Sequence, residues 1–309
     1  MHSTKNESRP KTRKGKQTFL SVVEPAGLMA FLLAQLPDKS RNTIKSLLAH
    51  HQVSVDYKII TQFNHPLKAG QEVIITWTKV QQGNPNKGVR VVFEDPYILV
   101  IEKQPGLLSI ATDKEKQRTV YRILSDQAKE SDPRNRIFVV QRLDRDASGL
   151  MIFAKSKDVQ QLLQDSSQKG LVKRKYIVVV EGSVDQDQGV VTSWLKENTA
   201  RIVYSSNIPN DGQKSVTRYR VLKRKKNYTL MDIEPETERK NQVRVHLKDL
   251  EHPIAGDKKY GSTKNPMNRM ALHARFLELR HPVNGNKLQF ETAIPNQFLY
   301  LFPDKNRKY

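Results

Sequence analysis

From Val89 onward the chain is written in short apolar runs of strand length, at 89–93, 98–102, 137–140, 150–154, 176–180, 216–222 and 228–233. Helical patterns fall among them at 120–128, at 159–167 with Ser156 ahead and Gly170 behind, and at 243–250. A parallel, doubly wound sheet needs a crossover helix for each successive strand. Here runs follow one another without one. The pattern therefore predicts an α+β domain over 89–309, built on a mostly antiparallel, mixed sheet. It contains no internal repeat.

The region before it reads differently. Leu28, Phe31, Leu32 and Leu36 recur at helical spacing until Pro37 ends the run. Ser40 fits an N-cap for a second helix with Ile44, Leu47 and Leu48 on one face. Val53 and Val55 alternate as a short strand, and Val73, Ile75 and Trp77 as another after the Lys68-Ala69-Gly70 turn. Residues 18–78 are thus expected to form a small α+β domain. Arg41 and Lys45 lie opposite Ile44 and Leu48 at i,i+4 spacing, either as phosphate contacts or as an ordinary solvated face. Residues 79–88 are polar, rich in Gly, Pro and Asn, and read as a linker. Residues 1–17 set Lys5, Arg9, Lys11, Arg13, Lys14 and Lys16 against Glu7, with almost nothing apolar, and read as a disordered basic tail.

Charge narrows the partner. The 53 Lys+Arg against 32 Asp+Glu give a formal net charge of +21. Cations on phosphates release condensed counterions, so nucleic acid is the first expectation and an anionic membrane surface the second. No run approaches the roughly 18 apolar residues of a membrane span, and no apolar h-region follows the basic N-terminus. Cysteine is absent, which excludes disulfides and thiolate zinc sites and fits a cytoplasmic protein. No Gly-x-Gly-x-x-Gly opens a helix. The stretch from Gly256 to Ser262 has Ser262 where a phosphate loop needs lysine, and His50, His51, His246 and His252 form no metal set. Neither a metal nor a nucleotide cofactor is expected.

Gln141-Arg-Leu-Asp144-Arg-Asp-Ala147-Ser-Gly-Leu150 joins two of the apolar runs. Taken alone it is a polar loop in which aspartates serve as turn residues. Yet it is similar to the His-Arg-Leu-Asp-x-x-Thr-Ser-Gly-Leu motif of the RluA/RluD-type pseudouridine synthases. Further blocks follow in that family's order. They are Lys173-Arg-Lys-Tyr176, then Thr237-Glu-Arg-Lys-Asn-Gln242-Val-Arg244-Val-His246-Leu247, then Pro253 to Gly261, and finally Leu272-His-Ala274 with His281-Pro282. Glu94-Asp95, Lys103 and Gly106-Leu107 resemble its opening strands. The resemblance spans roughly 89–285. The 18–78 segment in turn resembles the αL-type RNA-binding module of a ribosomal protein, which often precedes that catalytic domain.

The resemblance implies an isomerase with the pseudouridine synthase fold, acting on structured RNA, ribosomal or transfer, as a monomer and away from membranes. It makes Asp144 the catalytic carboxylate that breaks the uridine C1′–N1 bond, by attack at C1′ or by promoting loss of the 2′ proton. Arg244 would pair with Asp144. Tyr176 would stack on the uracil and assist at C5, and Leu247 would pack beneath the base. Arg142 would contact RNA or form an internal ion pair. Departures stand at Gln141, Ala147, Glu238 and Asn241, where the motifs carry His, Thr, Gly and His. Glu238 adds a negative charge beside a polyanionic substrate. The alternative is an RNA-binding or ribosome-assembly protein on this fold with weakened or lost catalysis.

Overall fold

The computed structural model describes residues 17–49, 52–56, 58–77, 88–113 and 115–303. All but the last residue of the basic tail and of the linker lie outside these. The chain divides into two compact units, Met1–Gln82 and Gly83–Tyr309.

In the first unit, β1 (Gln17–Ser21) and β2 (Ala26–Gly27) lead into α1 (Leu28–Gln35). The next helix, α2 (Arg41–Ala49), starts after Ser40, whose hydroxyl accepts the Thr43 N–H at 3.2 Å. This is the cap that the sequence suggested. β3 (Val53–Val55), β4 (Lys58–Ile59), β5 (Pro66–Leu67) and β6 (Glu72–Thr76) follow. The main sheet runs β1-β6-β3-β4, and β2 pairs with β5. Leu28, Phe31, Leu32, Ile44, Leu47 and Leu48 bury against Val53, Val55, Val73 and Ile75. The period-two pattern expected at β3 does not produce a wet face, because Ser54 is buried as well. Arg41 and Lys45 project from the exposed face of α2.

The second unit is built on one long sheet. Its elements are β7 (Val89–Glu94), β8 (Ile98–Lys103), α3 (Val120–Ser131), β9 (Phe138–Val139), β10 (Ser148–Ala154), α4 (Lys157–Gln168) and β11 (Lys173–Glu181). Then come β12 (Gln188–Glu197), β13 (Val203–Ser206), β14 (Gln213–Lys225), β15 (Tyr228–Pro235), α5 (Gln242–Asp249), β16 (Leu272–Arg280), β17 (Lys287–Glu291) and α6 (Asn296–Leu299). Strand order is β13-β12-β14-β15-β11-β16-β10-β8-β7, with β17 paired to β16 and β9 to β10. The fold is α+β and mostly antiparallel, as the spacing of apolar runs predicts. Among the described strands only β10 and β16 pair in parallel, through Ser148↔His273 and Gly149↔Ala274.

One predicted boundary moves, and four strands were not predicted. The expected run at 137–140 is a strand only at Phe138–Val139. Strands β12, β13, β16 and β17 have no counterpart in the sequence reading. Polar residues interrupt them, such as Ser193 in β12 and His273 and Glu278 in β16, yet Ser193 and His273 are buried. The alternation that marks a half-wet strand is therefore broken at those two positions. β17 keeps it, with Leu288 and Phe290 buried between exposed Lys287, Gln289 and Glu291.

Buried imidazoles tie this unit together. His246 bonds Ser193 Oγ through Nε2 at 2.9 Å and Thr217 Oγ1 through Nδ1 at 2.8 Å, joining α5 to β12 and β14. His273 bonds Ser148 Oγ at 2.8 Å and Thr292 Oγ1 at 2.8 Å. Burial pushes each down from 6.5 to about 4, a shift that Asp249 opposes at His246 and that Arg269 and Arg275 reinforce at His273. An unfolded chain therefore takes up protons that the folded one refuses, and stability falls as pH drops from about 6.5 to about 4. Urea midpoints read from Trp194 fluorescence in a Trp77→Phe background should decline through that window. The decline should flatten when His246 and His273 are both replaced by Gln.

Candidate active site

The Asp144 loop is held from four directions. Ser109 Oγ donates to the Leu143 carbonyl at 2.6 Å and accepts the Leu143 N–H at 3.1 Å. Gly106 N–H donates to the Arg145 carbonyl at 2.8 Å. Lys103, at the end of β8 and fully buried, sends its ammonium to the carbonyls of Leu107 (2.7 Å), Arg145 (2.9 Å) and Gln104 (3.0 Å). A turn closes with Ala147 N–H on the Asp144 carbonyl at 3.2 Å. The loop then enters β10, where Ser148 takes a hydrogen bond from Arg269 at 2.8 Å. Gly149 has φ +114°, and a Cβ there would lie 2.2 Å from the Ala274 carbonyl oxygen. Only glycine permits this approach.

Helix α5 supplies the opposing cation. Gln242 and His246 stand one turn apart and both grip the sheet, Gln242 through the Val216 carbonyl and Thr217 Oγ1, each at 2.9 Å. Arg244, two residues from either, lies about 200° around the helix and faces away from them. Its Nη1 donates to Asp144 at 2.8 Å, while Nε and Nη2 each donate to the buried Asp257 at 2.7 Å. The guanidinium also stacks on Tyr260, 4.7 Å from the ring centre. Burial alone would lower its pKa, but the bonds and charges of Asp257 and Asp144 outweigh that and raise it, so Arg244 stays cationic.

Tyr176 enters by strand register. It lies opposite Ala274 of β16, and Ala274 lies opposite Gly149 of β10. Two strand spacings, about 10 Å, thus separate Tyr176 from the strand that carries Asp144 on its leading loop. Burial pushes the Tyr176 hydroxyl up, the Arg174 charge pulls it partly back, and the Asp144 charge adds to the rise. The phenol is neutral near pH 7. Leu247 is buried in α5, and Arg142 is exposed with no acidic partner among the described residues. Arg41 and Lys45 belong to the first unit. Among the described residues, no three His, Cys, Asp or Glu side chains gather as metal ligands would. No described helix is long and apolar enough to cross a membrane.

A family profile described as RNA pseudouridylate synthase matches residues 97–249, which hold Asp144, Tyr176 and Arg244. An uncharacterized RNA pseudouridine synthase of Bacillus subtilis, YjbO, is 33% identical over 216 residues, 70% of this chain and 76% of that protein. Ribosomal large subunit pseudouridine synthase D of Nitrosomonas europaea is 30% identical over 318 residues, covering 97% and 92% of the two chains. The chain belongs to the RNA pseudouridylate synthase family. It is an isomerase of the RluA/RluD type. A solved structure of human RNA pseudouridylate synthase domain containing 4 shares the fold, with a TM-score of 0.57 over 71% of this chain and 96% of that one, at 24% identity.

Within this RNA pseudouridylate synthase, the departures from motif find local partners. Glu238 does not leave a bare negative charge beside the substrate. It forms an ion pair with the buried Arg174 and accepts from Ser167 Oγ at 3.0 Å. Burial holds the Arg174 guanidinium down at about 10, an effect that Tyr176 opposes. Asn241, in the left-handed region at φ 56°, donates to the Tyr260 hydroxyl at 3.0 Å and accepts weakly from Arg244 at 3.4 Å. Gln141 reaches the Leu150 carbonyl at 3.5 Å, and Ala147 is buried.

Sequence reasoning gave no site role to Asp257 or Lys103, naming them only within the blocks that resemble the family. Burial pushes the Lys103 pKa down to about 7, with Asp146 opposing, Arg269 adding to the drop and Asp144 opposing. Lys103→Met should leave the Leu107 and Gln104 carbonyls without their donor, costing about 1–3 kcal/mol. Freed to drift, the Arg145 backbone should slow single-turnover pseudouridine formation by about tenfold or more. RNA affinity, measured by filter binding, should hardly change.

Proposed function

We propose that this enzyme converts uridine to pseudouridine in ribosomal RNA, with Asp144 as the reacting carboxylate. One observation carries the assignment of Asp144. Its side chain is 36% exposed on a loop held by Lys103, Gly106 and Ser109, while one oxygen alone is tied to a buried cation. Support for ribosomal RNA comes from relatives named ribosomal large subunit pseudouridine synthase D in Nitrosomonas europaea and Haemophilus ducreyi, the latter 29% identical over 287 residues.

The chemistry is an isomerisation and balances without a second substrate. The C1′–N1 bond breaks, the freed base turns, and a C1′–C5 bond forms; N1 ends with a proton and C5 loses one. Asp144 starts this by adding to C1′ or by promoting loss of the 2′ proton. In both, Arg244 holds the carboxylate in place through Nη1. Tyr176, a neutral phenol, stacks on the uracil more readily than it acts as a base, and Leu247 backs the pocket floor. A paired uridine must leave its stack to reach these groups, at a cost of a few kcal/mol. Arg142, exposed and without an acidic partner among the described residues, would meet RNA rather than an internal acid. The Glu238 and Asn241 partners described above remove the reason to favour a chain that binds RNA without modifying it.

We assign the 18–78 domain and its Arg41/Lys45 face to RNA affinity, the 1–17 tail and 79–88 linker to its flanks, and the cytoplasm and a monomeric state to the working enzyme. Asp144→Asn should lower single-turnover pseudouridine formation by about 10³-fold or more with folding and RNA binding near parental. Parental turnover in that variant rejects the mechanism. Mapping pseudouridine in ribosomal and transfer RNA with and without the gene tests the target. A signal lost only from transfer RNA would move the substrate there.

Replacing both Arg41 and Lys45 by Ala should weaken RNA binding and reduce the slope of log affinity against log salt by about two. The rate of bound complex should stay as it was. A slope equal to the parent's would place the phosphate contacts elsewhere.

A further inference from the structure

The strands that hold α5 have a second face. Along β12, β13 and β14 successive side chains point to opposite sides of the sheet. One set, with Ser193, Leu195, Val203, Ser215, Thr217 and Tyr219, is buried, and Leu195 and Val203 pack against Val245 of α5 and Tyr260. The other set is nowhere buried. It holds Val190, Trp194 and Lys196 of β12, Tyr204 of β13, and Lys214 and Val216 of β14.

An antiparallel sheet often leaves one face to water, and that face is then polar. This one carries apolar and aromatic side chains, with Val190 51% and Tyr204 41% exposed. Strand register brings the two aromatics together. Trp194 lies opposite Ser206, and Lys196 opposite Tyr204, so Trp194 and Tyr204 are diagonal neighbours. Such neighbours stand about 7–8 Å apart. On the other side of Trp194, directly opposite it, lies Lys214.

Charge divides the face in two. Towards β11 each cation is answered, Arg218 by Glu236, Arg220 by Asp232 and Lys175 by Glu234. Beside the aromatics Lys196 pairs with Asp211, but Lys214 has no acidic partner among the described residues. At the turn between β12 and β13, Lys240 pairs with Glu197, while Arg201 and Lys259 have no such partner there. Lys259 donates to the Arg201 carbonyl at 3.2 Å, and its ammonium lies 5.8 Å from the centre of the Tyr260 ring.

We propose that this face of β12, β13 and β14 binds a single-stranded stretch of RNA, with bases stacked on Trp194 and Tyr204 and phosphates met by Lys214 and Arg201. It lies across the sheet from α5, away from the Asp144 site, and does not depend on the role of Asp144. Sheets with exposed aromatics take single strands in this way, because every base has a face to stack and neighbouring cations neutralise the backbone. A second copy of the chain fits less well, since a two-fold contact would set Lys214 against its own counterpart. β13 ends the sheet. A strand on this face can therefore pass over that edge, along Arg201 and Lys259, to the side that carries the Asp144 site.

The test uses the full chain with Trp77→Phe, which leaves Trp194 as its one tryptophan. The probe is a short oligoadenylate, which offers no uridine to the Asp144 site. Filter binding gives its affinity, and Trp194 emission should be quenched in step with binding. Tyr204→Ala combined with Lys214→Ala should weaken the complex by about tenfold or more, through one lost stacking partner and one lost phosphate contact. The slope of log affinity against log salt should fall by about 0.7. Tyr204→Phe keeps the ring and should bind as the parent does. Oligoadenylate that fails to bind, or that binds without changing Trp194 emission, overturns the proposal. So does a folded double variant whose affinity stays within about twofold of the parent's. If Trp194 emission instead follows protein concentration, in step with a dimer seen by sedimentation, the face belongs to a second copy and the proposal fails. The quenching measurement needs no substitution on the face, so it decides the matter even where the double variant does not fold.

Discussion

Strands β10 and β16 run in parallel for two residue pairs, and at Gly149 and Ala274 their backbones approach so nearly that a Cβ has no room. On one side of this contact lies Tyr176, registered opposite the same Ala274. On the other, β10 starts directly from the Asp144 loop. The distance between the strand of Tyr176 and the loop of Asp144 is thus set by backbone spacing, which is stiff, rather than by side-chain rotamers, which are not. The Ser148–His273–Thr292 chain closes the same junction with buried hydrogen bonds. Burial keeps His273 neutral, so one of its ring nitrogens donates and the other accepts in that chain.

Around this junction the fold spends cations in the interior, which is costly unless each finds partners. Two solutions occur. Lys103 is satisfied by three backbone carbonyls, so its charge is spread over the loop that it shapes. Arg244 and Arg174 are instead neutralised by Asp257 with Asp144 and by Glu238. The interior cations are therefore engaged within the fold, whereas Arg142, Arg41 and Lys45 are exposed contributors to the formal +21.

Much of the fold was legible where a signal is local. The α2 cap at Ser40, the α4 cap at Ser156 and the apolar faces of α1 and α2 lie within a helical turn of their causes. The RNA pseudouridylate synthase blocks were legible for the same reason: Gln242, Arg244 and His246 carry their meaning in a spacing of two residues. Strands β12, β13, β16 and β17 were not legible. Buried Ser193 and His273 break the apolar pattern, and each is tolerated only because its partner comes from a distant strand or helix. The charge of Glu238 was visible, but its neutralisation was not, since Arg174 lies on another element.

The sequence by itself determined the α+β class, the division into a small basic-faced domain and a sheet domain, and the identity of Asp144, Tyr176 and Arg244 as the groups to watch. Periodicity, capping and motif spacing act over a few residues, and those are readable along a line. Only the tertiary structure decided how Arg244 divides its nitrogens between Asp144, 100 residues away, and Asp257, 13 residues away. It also decided that Lys103 grips the Arg145 carbonyl and that Glu238 answers Arg174. Those choices depend on strand order and on the low-dielectric interior that makes an unpaired charge costly, and neither exists until the sheet has closed.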